Sequence, residues 1–438
     1  MKSSLSTFQL IVLIIFIFIG IAGVVVFAGF GGTNKERIPS ATIWGTVPAT
    51  IVNEVVRIIN AEDTVIEVKY EQISPETFRS TFVNALAEGG GPDIVLLTDD
   101  LLYAEANKLG VIPYTVYTQR DYADTYINAA DHFMSANGVL GVPFGVDPIV
   151  MYWNRSIFAT EGIASPPTTW EELQKIVPKL TKLNDSRGIE RSGVALGEVQ
   201  NIKNAKEILA SMLMQSGNNI TDVDAQTGFV VSTLDRATSD NRSPAEDVIK
   251  FYTYFANPSG VSYSWSRSMP DSRKAFLSGD VAMYFGYVSD YLAIKAENPN
   301  LDFDVAPIPQ SGNSANANHV TYGKITAFSV TRKAQDPMGA YQIIAKLTSR
   351  DAQKLWVDLT KMPPVRKDLL GEIPNDKFLS TFYRAAIQSR TWFDPDPAYS
   401  SVIFKDMIES ITSGKTQSSD AISNAKQRLD LLLRGIKS

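Results

Sequence analysis

Cysteine is absent from the 438 residues, which excludes thiol nucleophiles, disulfides, iron–sulfur clusters and cysteine zinc sites. Histidine is almost as scarce. His132 and His319 are the only two, and nothing in the sequence sets them together. A histidine metal centre and a Ser-His-Asp triad therefore have little support. A basic stripe is also missing. Charged residues make up 20% of the chain and the net charge is -6, a mildly acidic balance that offers no face to nucleic acid. No internal repeat occurs at solenoid periods. Gly89-Gly90-Gly91 is not a phosphate cradle, because it precedes a strand, whereas such cradles follow a strand and open a helix.

What is present begins with an apolar run. Leu10 to Phe30 holds 21 residues without charge or proline. As a helix it would be roughly 30 Å long, about one bilayer core. Residues 8–30 are expected to form one transmembrane helix that stays as an anchor. A secretory signal cut after Val26-Phe27-Ala28 is the alternative. Lys2 lies before the run and Lys35 and Arg37 after it, so charge does not set its orientation. Residues 31–40 read as a polar linker.

The remaining length suffices for two or three domains. Ala41–Trp44, Val65–Tyr70 and Asp93–Leu97 read as strands. Between them lie a helix opened by Pro48, with Ile51, Val52, Val55, Val56 and Ile59 on one face, and a helix opened by Ser74-Pro75. The βαβαβ order predicts an open, mostly parallel α/β sheet, whose ligands sit beyond the carboxyl ends of the strands. Trp44-Gly45-Thr46 and Thr98-Asp99-Asp100 fall at those ends. Residues 141–173 join two α/β regions. There Ile149–Trp153 reads as a strand, and Thr169 with Glu172 as a capping box that starts a helix. Further helices are expected over 205–216, 244–256, 271–277, 338–347 and 419–434, and strands over 281–285 and 325–330. Leu301–Pro309 is expected to be extended, and Ser311–Asn318 to be a mobile loop.

Several segments, in order, carry a resemblance. They are Pro92-Asp93-Ile94-Val95, Lys108-Leu109-Gly110-Val111-Ile112, Gly141-Val142-Pro143, Tyr152-Trp153-Asn154 and Pro167-Thr168-Thr169-Trp170-Glu171-Glu172-Leu173. Ala275-Phe276-Leu277-Ser278-Gly279-Asp280-Val281-Ala282-Met283, Val305-Ala306-Pro307-Ile308-Pro309 and Met362-Pro363-Pro364-Val365-Arg366 follow. Together they resemble family 1 of the extracellular solute-binding proteins of ABC importers, the maltodextrin-binding-protein group, over about residues 40–434. The resemblance implies a two-lobe periplasmic-binding-protein type II fold with three hinge crossovers. Lobe 1 would be 40–147 and 304–361, lobe 2 would be 148–303 and 362–438, and the crossovers would lie near Asp147, Phe303 and Met362. It implies a monomeric, extracytoplasmic receptor at the cell membrane, with no reaction, cofactor or metal. Hinge closure would capture a small solute, and the solute would pass to ABC permease subunits. Many membrane-bound relatives carry a lipidated cysteine, which this chain lacks; a transmembrane anchor would serve the same end.

A sugar ligand needs aromatic platforms and planar polar side chains. Trp44 and Asp99, at strand ends, are candidate contacts, with core packing and a helix N-cap as their plain structural roles. Asp147 beside Pro148 is a candidate at the first crossover. Trp265 matches a frequent aromatic platform of the family. Tyr287 follows Gly286, which would let a ligand approach the backbone. Tyr322-Gly323 resembles the glycine-rich turn lining the family's cleft. Arg366 follows the third crossover, where a surface ion pair is the alternative, and Tyr399 matches the family's lobe 2 aromatic. Asp394 and Asp396, each before a proline, read as turn formers and not as a calcium loop. Two rival readings stand beside the sugar receptor: the same fold binding another polar solute, and a glycosidase using Asp99 and Asp147.

Overall fold

The computed structural model describes residues 38–62, 66–312 and 319–436. The expected anchor at 8–30 lies outside them. Among the described residues, no helix is long and apolar enough to cross a membrane.

The chain opens as its periodicity predicts. β1 (Ser40–Gly45), α1 (Ala49–Glu62), β2 (Glu67–Gln72), α2 (Pro75–Ala87) and β3 (Ile94–Thr98) alternate. Both strand pairings are parallel, with β1 in the middle. Val52, Val55 and Ile59 of the α1 stripe are buried. Ser74 holds the N-cap position of α2, but its hydroxyl turns to the Glu76 carboxylate instead of a backbone amide. The short helix α3 (Asp99–Ala104) starts directly at the end of β3.

β4 (Val142–Asn154) is a 13-residue strand, longer than the run read from the sequence, and buried throughout except at Asp147. A near-continuous apolar run of this kind marks a strand covered on both faces. A helix further along, α4 (Trp170–Leu180), has the expected cap in altered form. Thr169 Oγ1 accepts the Glu172 amide at 3.2 Å, while the Glu172 carboxylate reaches the Thr168 amide at 2.8 Å. β5 (Lys182–Leu183), β6 (Ile189–Val194), α5 (Ala205–Gln215), α6 (Pro244–Tyr254) and α7 (Ser272–Ser278) follow. Then come β7 (Val281–Tyr287), β8 (Phe303–Pro307), β9 (Thr321–Val330), α8 (Pro337–Leu347) and α9 (Arg350–Thr360). α10 (Lys377–Ile387), β10 (Ser389–Arg390), α11 (Pro397–Thr412) and α12 (Ser418–Leu433) complete the chain.

Ten strands form one mixed sheet in the order β2-β1-β3-β9-β4-β7-β6-β5, with β8 on β4 and β10 on β9. It is less parallel than expected, because β9 runs antiparallel to both β3 and β4, and β7 and β8 run antiparallel to β4. The sheet serves two hydrophobic cores, one per lobe. The first includes Ile43, Val95, Phe144, Val146, Ile325, Phe328 and Trp356. The second includes Met151, Tyr152, Leu209, Trp265, Met283, Phe285, Phe404 and Leu429.

Two strands serve both cores. In β4 the change falls between Val146 and Ile149, at Asp147-Pro148. In β9 it falls between Tyr322 and Ile325. The two changes lie side by side, since Gly323 pairs with Pro148 and Lys324 with Asp147. The other passages differ from the expected positions. Val305, Ala306 and Ile308 pack in the second core, because β8 pairs with the second half of β4, so the return to the first core is the change within β9 and not near Phe303. Val365 and Leu370 still pack in the first core, and α10 faces both, with Phe382 in the second and Tyr383 in the first. Met362 packs against both cores, and the final passage extends from there through α10.

Candidate functional site

The parallel level of the two core changes brings charged groups together. Lys324, paired across the sheet with Asp147, projects its ammonium to 5.4 Å from the centre of the Tyr287 ring. Asp100 Oδ2 is its nearest carboxylate oxygen, at 3.8 Å. Burial lowers the ammonium's pKa, but the carboxylates of Asp100, Glu207, Asp99 and Asp147 outweigh that and leave it raised. Four acids from three places in the chain thus act on one lysine: Asp99 and Asp100 from the start of α3, Asp147 from β4 and Glu207 from the first turn of α5.

These acids are not alike. Asp99 is 1% exposed. Its Oδ1 accepts the Ile325 amide at 3.1 Å and its Oδ2 the Thr391 hydroxyl at 2.5 Å. Burial, and then the charge of Asp100, push its carboxyl up to about 7. Asp147 accepts the Ser289 amide at 3.0 Å, and burial pushes it up to about 6. Asp100 takes the Thr98 hydroxyl and the Leu101 amide on Oδ1. Glu207 has no hydrogen-bond or ion-pair partner for its carboxylate among the described residues.

Two tyrosines close the floor. The Tyr287 hydroxyl is buried without a hydrogen bond among the described residues. Tyr322 is 4% exposed, and its hydroxyl also makes no hydrogen bond among the described residues. Burial, and then the charges of Asp99, Asp100, Glu207 and Asp394, keep that phenol protonated. The Tyr322 amide is fixed to Ser211 Oγ of α5 at 2.8 Å, which locks the strand in place.

The structure thus gathers Asp99, Asp147, Tyr287, Tyr322 and Gly323. It assigns Asp99 a structural tie, with both oxygens held by the protein. The room beside Gly323 is filled by Ser389, and that beside Gly286 by the Tyr284 ring and the Asp290 carboxylate, so these glycines serve close packing of the chain on itself. The other candidates lie apart. Trp265 is fully buried in the second core, with its indole N–H on Asn201 Oδ1 at 3.0 Å. Arg366 makes the surface ion pair, with Asp368 at 3.0 Å. Tyr399 sits inside the first turn of α11 and is 63% exposed. Trp44 is partly buried against the first core at the end of β1.

Sequence reasoning missed Lys324, Asp100 and Glu207. Lys324 leaves a signal, as the one charge in an otherwise uncharged strand. Glu207 leaves none, because an acid in a first helical turn reads as a dipole partner. Two open surface cavities lie elsewhere: one of about 380 Å³ lined by Trp170, Arg242 and Phe251, another of about 610 Å³ between α11 and α12. Neither includes a predicted residue. No group of acids or histidines among the described residues is arranged to hold a metal.

Comparison with known proteins agrees with this architecture. A Brucella abortus (strain 2308) protein named as a binding protein is 22% identical over 401 residues, covering 87% of this chain and 89% of the relative. Three solved structures share the fold. The solute-binding protein of an ABC transporter from Thermotoga lettingae TMO, bound with alpha-D-tagatose, has a TM-score of 0.67 at 21% identity, covering 90% of this chain and 99% of the other. The cyclic alpha-maltosyl-1,6-maltose binding protein from Arthrobacter globiformis has a TM-score of 0.72 at 16% identity, with coverage of 91% and 100%. UgpB from Mycobacterium tuberculosis, in complex with glycerophosphocholine, has a TM-score of 0.69 at 18% identity, with coverage of 90% and 98%. The family model of the bacterial extracellular solute-binding proteins matches residues 55–378, most of the chain, and the chain belongs to that family of binding proteins, not to an enzyme family.

Proposed function

We propose that this protein is the membrane-anchored receptor of an ABC importer and captures a sugar or oligosaccharide between its two lobes. The single observation that carries this is the floor where β4 and β9 change cores together. It offers acceptor carboxylates, two unpaired phenols and one lysine, the inventory that suits a hydroxyl-rich solute. The ligands named for two of the structural neighbours, tagatose and cyclic maltosyl-maltose, support the carbohydrate class. Glycerophosphocholine, named for the third, supports the second reading of another polar solute in the same cleft. In the leading reading residues 8–30 hold the receptor at the membrane, and bending at Asp147-Pro148 and Gly323-Lys324 closes the lobes on the solute. A monomer then hands the solute to the permease.

The test is isothermal calorimetry with the full chain against mono- and oligosaccharides, read together with tryptophan fluorescence. Saturable binding without turnover is expected. A ligand at 100 times its Kd stabilises the fold by about 2.7 kcal/mol. Absence of binding across the panel, with glycerophosphocholine bound instead, moves the assignment to the second reading.

A further inference from the structure

The cavity of about 380 Å³ lies outside the floor, between α4, the end of α5 and α6 of the second lobe. Its volume falls within the roughly 300–1,000 Å³ common for small-molecule sites. Trp170 and Phe251 line it, with ring centroids 6.0 Å apart and planes at 67°. Glu171, Gln174 and Asp247 line it as well, and none of these three side chains makes a hydrogen bond or ion pair among the described residues. Arg242 stands beside them, with its guanidinium donating to Asp240 at 2.6 Å. The two carboxylates can only accept hydrogen bonds, while the amide both donates and accepts. A purely apolar occupant would desolvate the carboxylates without replacing their water, and an anion would be repelled by both. An occupant that satisfies the lining combines an apolar face for the rings with several neutral donors. Sugars combine them.

The cavity is also wired to the hinge. Gln215 lines it, and its Oε1 accepts the Trp170 indole N–H at 2.6 Å. Its Nε2 donates to the Val320 carbonyl at 2.8 Å and to the Pro309 carbonyl at 3.1 Å. Val320 stands directly before β9, two residues from Tyr322, after which that strand leaves the second core. One side chain thus joins the aromatic wall to the entry of a hinge strand.

We infer that this cavity is a second carbohydrate site, outside the cleft, and that Gln215 couples its occupancy to the hinge. A sugar would rest its ring on Trp170 and Phe251 and donate hydroxyls to Glu171 and Asp247. Contact with Trp170 and Gln215 bears on the carbonyls that set the entry of β9. An occupant that favours one setting of that entry changes the affinity of the cleft, and a cleft ligand changes the cavity by the same factor. The chemistry of the floor plays no part in this assignment.

The experiment uses the full chain with maltose and maltotetraose, calorimetry for stoichiometry and amide hydrogen exchange for location. Two sugar molecules per chain are expected, with slowed exchange over 170–174 and 244–251 as well as beside Asp147 and Tyr287. Gln174→Ala with Asp247→Ala should remove one of the two and leave the thermal melt of the ligand-free protein in place. Gln215→Met should keep both sites but change cleft affinity by about fivefold. If Gln215→Met does not fold, the double variant reads the coupling, since losing the cavity should shift cleft affinity in the same way. Protection at the floor alone, with one sugar per chain, overturns the second site and leaves the receptor reading intact. Protection at the cavity alone upholds the second site and counts against the sugar reading of the cleft. Protection at neither overturns both. Two sites with cleft affinity unmoved by either variant overturn the coupling.

Discussion

Lys206 and Lys324 both lie among carboxylates, and their surroundings differ in one respect. Lys206 Nζ reaches Asp394 at 2.7 Å, Ser400 Oγ at 3.0 Å and the Pro397 carbonyl at 3.4 Å, so its three protons all have acceptors. It also lies 6.0 Å from the centre of the Trp392 ring. Lys324 donates no hydrogen bond among the described residues; its nearest acid is 3.8 Å away and its face is turned to Tyr287. The corner around Lys206 is architecture. It fixes the loop Trp392–Pro397 against α5, where Trp392 packs in the second core and Phe393 meets Tyr103 at a centroid distance of 4.7 Å. At the floor the same group is left with one ion pair, to Asp100 at 3.8 Å, and the face of a ring.

The contrast can be broken by substitution. Lys206→Met should be the most damaging, because it strands a carboxylate whose side chain is 5% exposed. A loss of about 3–5 kcal/mol is expected in denaturant melts. Burial already raises the Asp394 carboxyl, so the loss should shrink in acid as that group takes a proton. A loss below about 1 kcal/mol would mean that the corner is not structural.

Lys324→Met should cost less, about 1–2 kcal/mol at pH 8. Its pH dependence follows from Asp99. That carboxyl is raised from 3.8 to about 7, so its contribution to stability is fully present below about pH 4 and lost as pH rises through 7. Removing the ammonium raises it further, so variant and wild type should converge toward acid and diverge above neutrality. A pH-independent difference would contradict the electrostatic account of the floor.

Arg79→Ala gives the exposed reference. Arg79 is 58% exposed and touches Glu105 at 2.9 Å and Asp396 at 3.3 Å, bridging α2 of the first lobe to the cap of α11 in the second. Solvent screening limits the expected cost to about 1 kcal/mol or less in the same melts. A larger loss would show that this rim contact, and not the corner at Lys206, holds the lobes together.

Much of the fold is legible in the sequence for a physical reason. The α1 stripe, the βαβαβ order and the Thr169 cap are local patterns, and the structure keeps them. The crossovers are less legible because they depend on which core claims a strand. Val305 and Ile308 read as apolar in either lobe, and only pairing with β4 decides. The site was half legible. Asp147 and Tyr287 stand at breaks in apolar strands. Trp265 looked like a platform because its loop position was visible but its bond to Asn201, 64 residues away, was not. Asp100, Lys324 and Glu207 meet through tertiary proximity that no spacing encodes.

The place of β9 in the sheet has a consequence for how the chain is made. It lies between β3 and β4, yet it is synthesised long after both. Until it arrives, the β3 edge, with Ile94, Val95, Leu96 and Leu97 in sequence, has no neighbour on that side. An unpaired apolar edge invites association with other chains. Nascent chains ending before Thr321 should therefore depend on chaperone cover, and the first lobe cannot be completed piece by piece as it emerges.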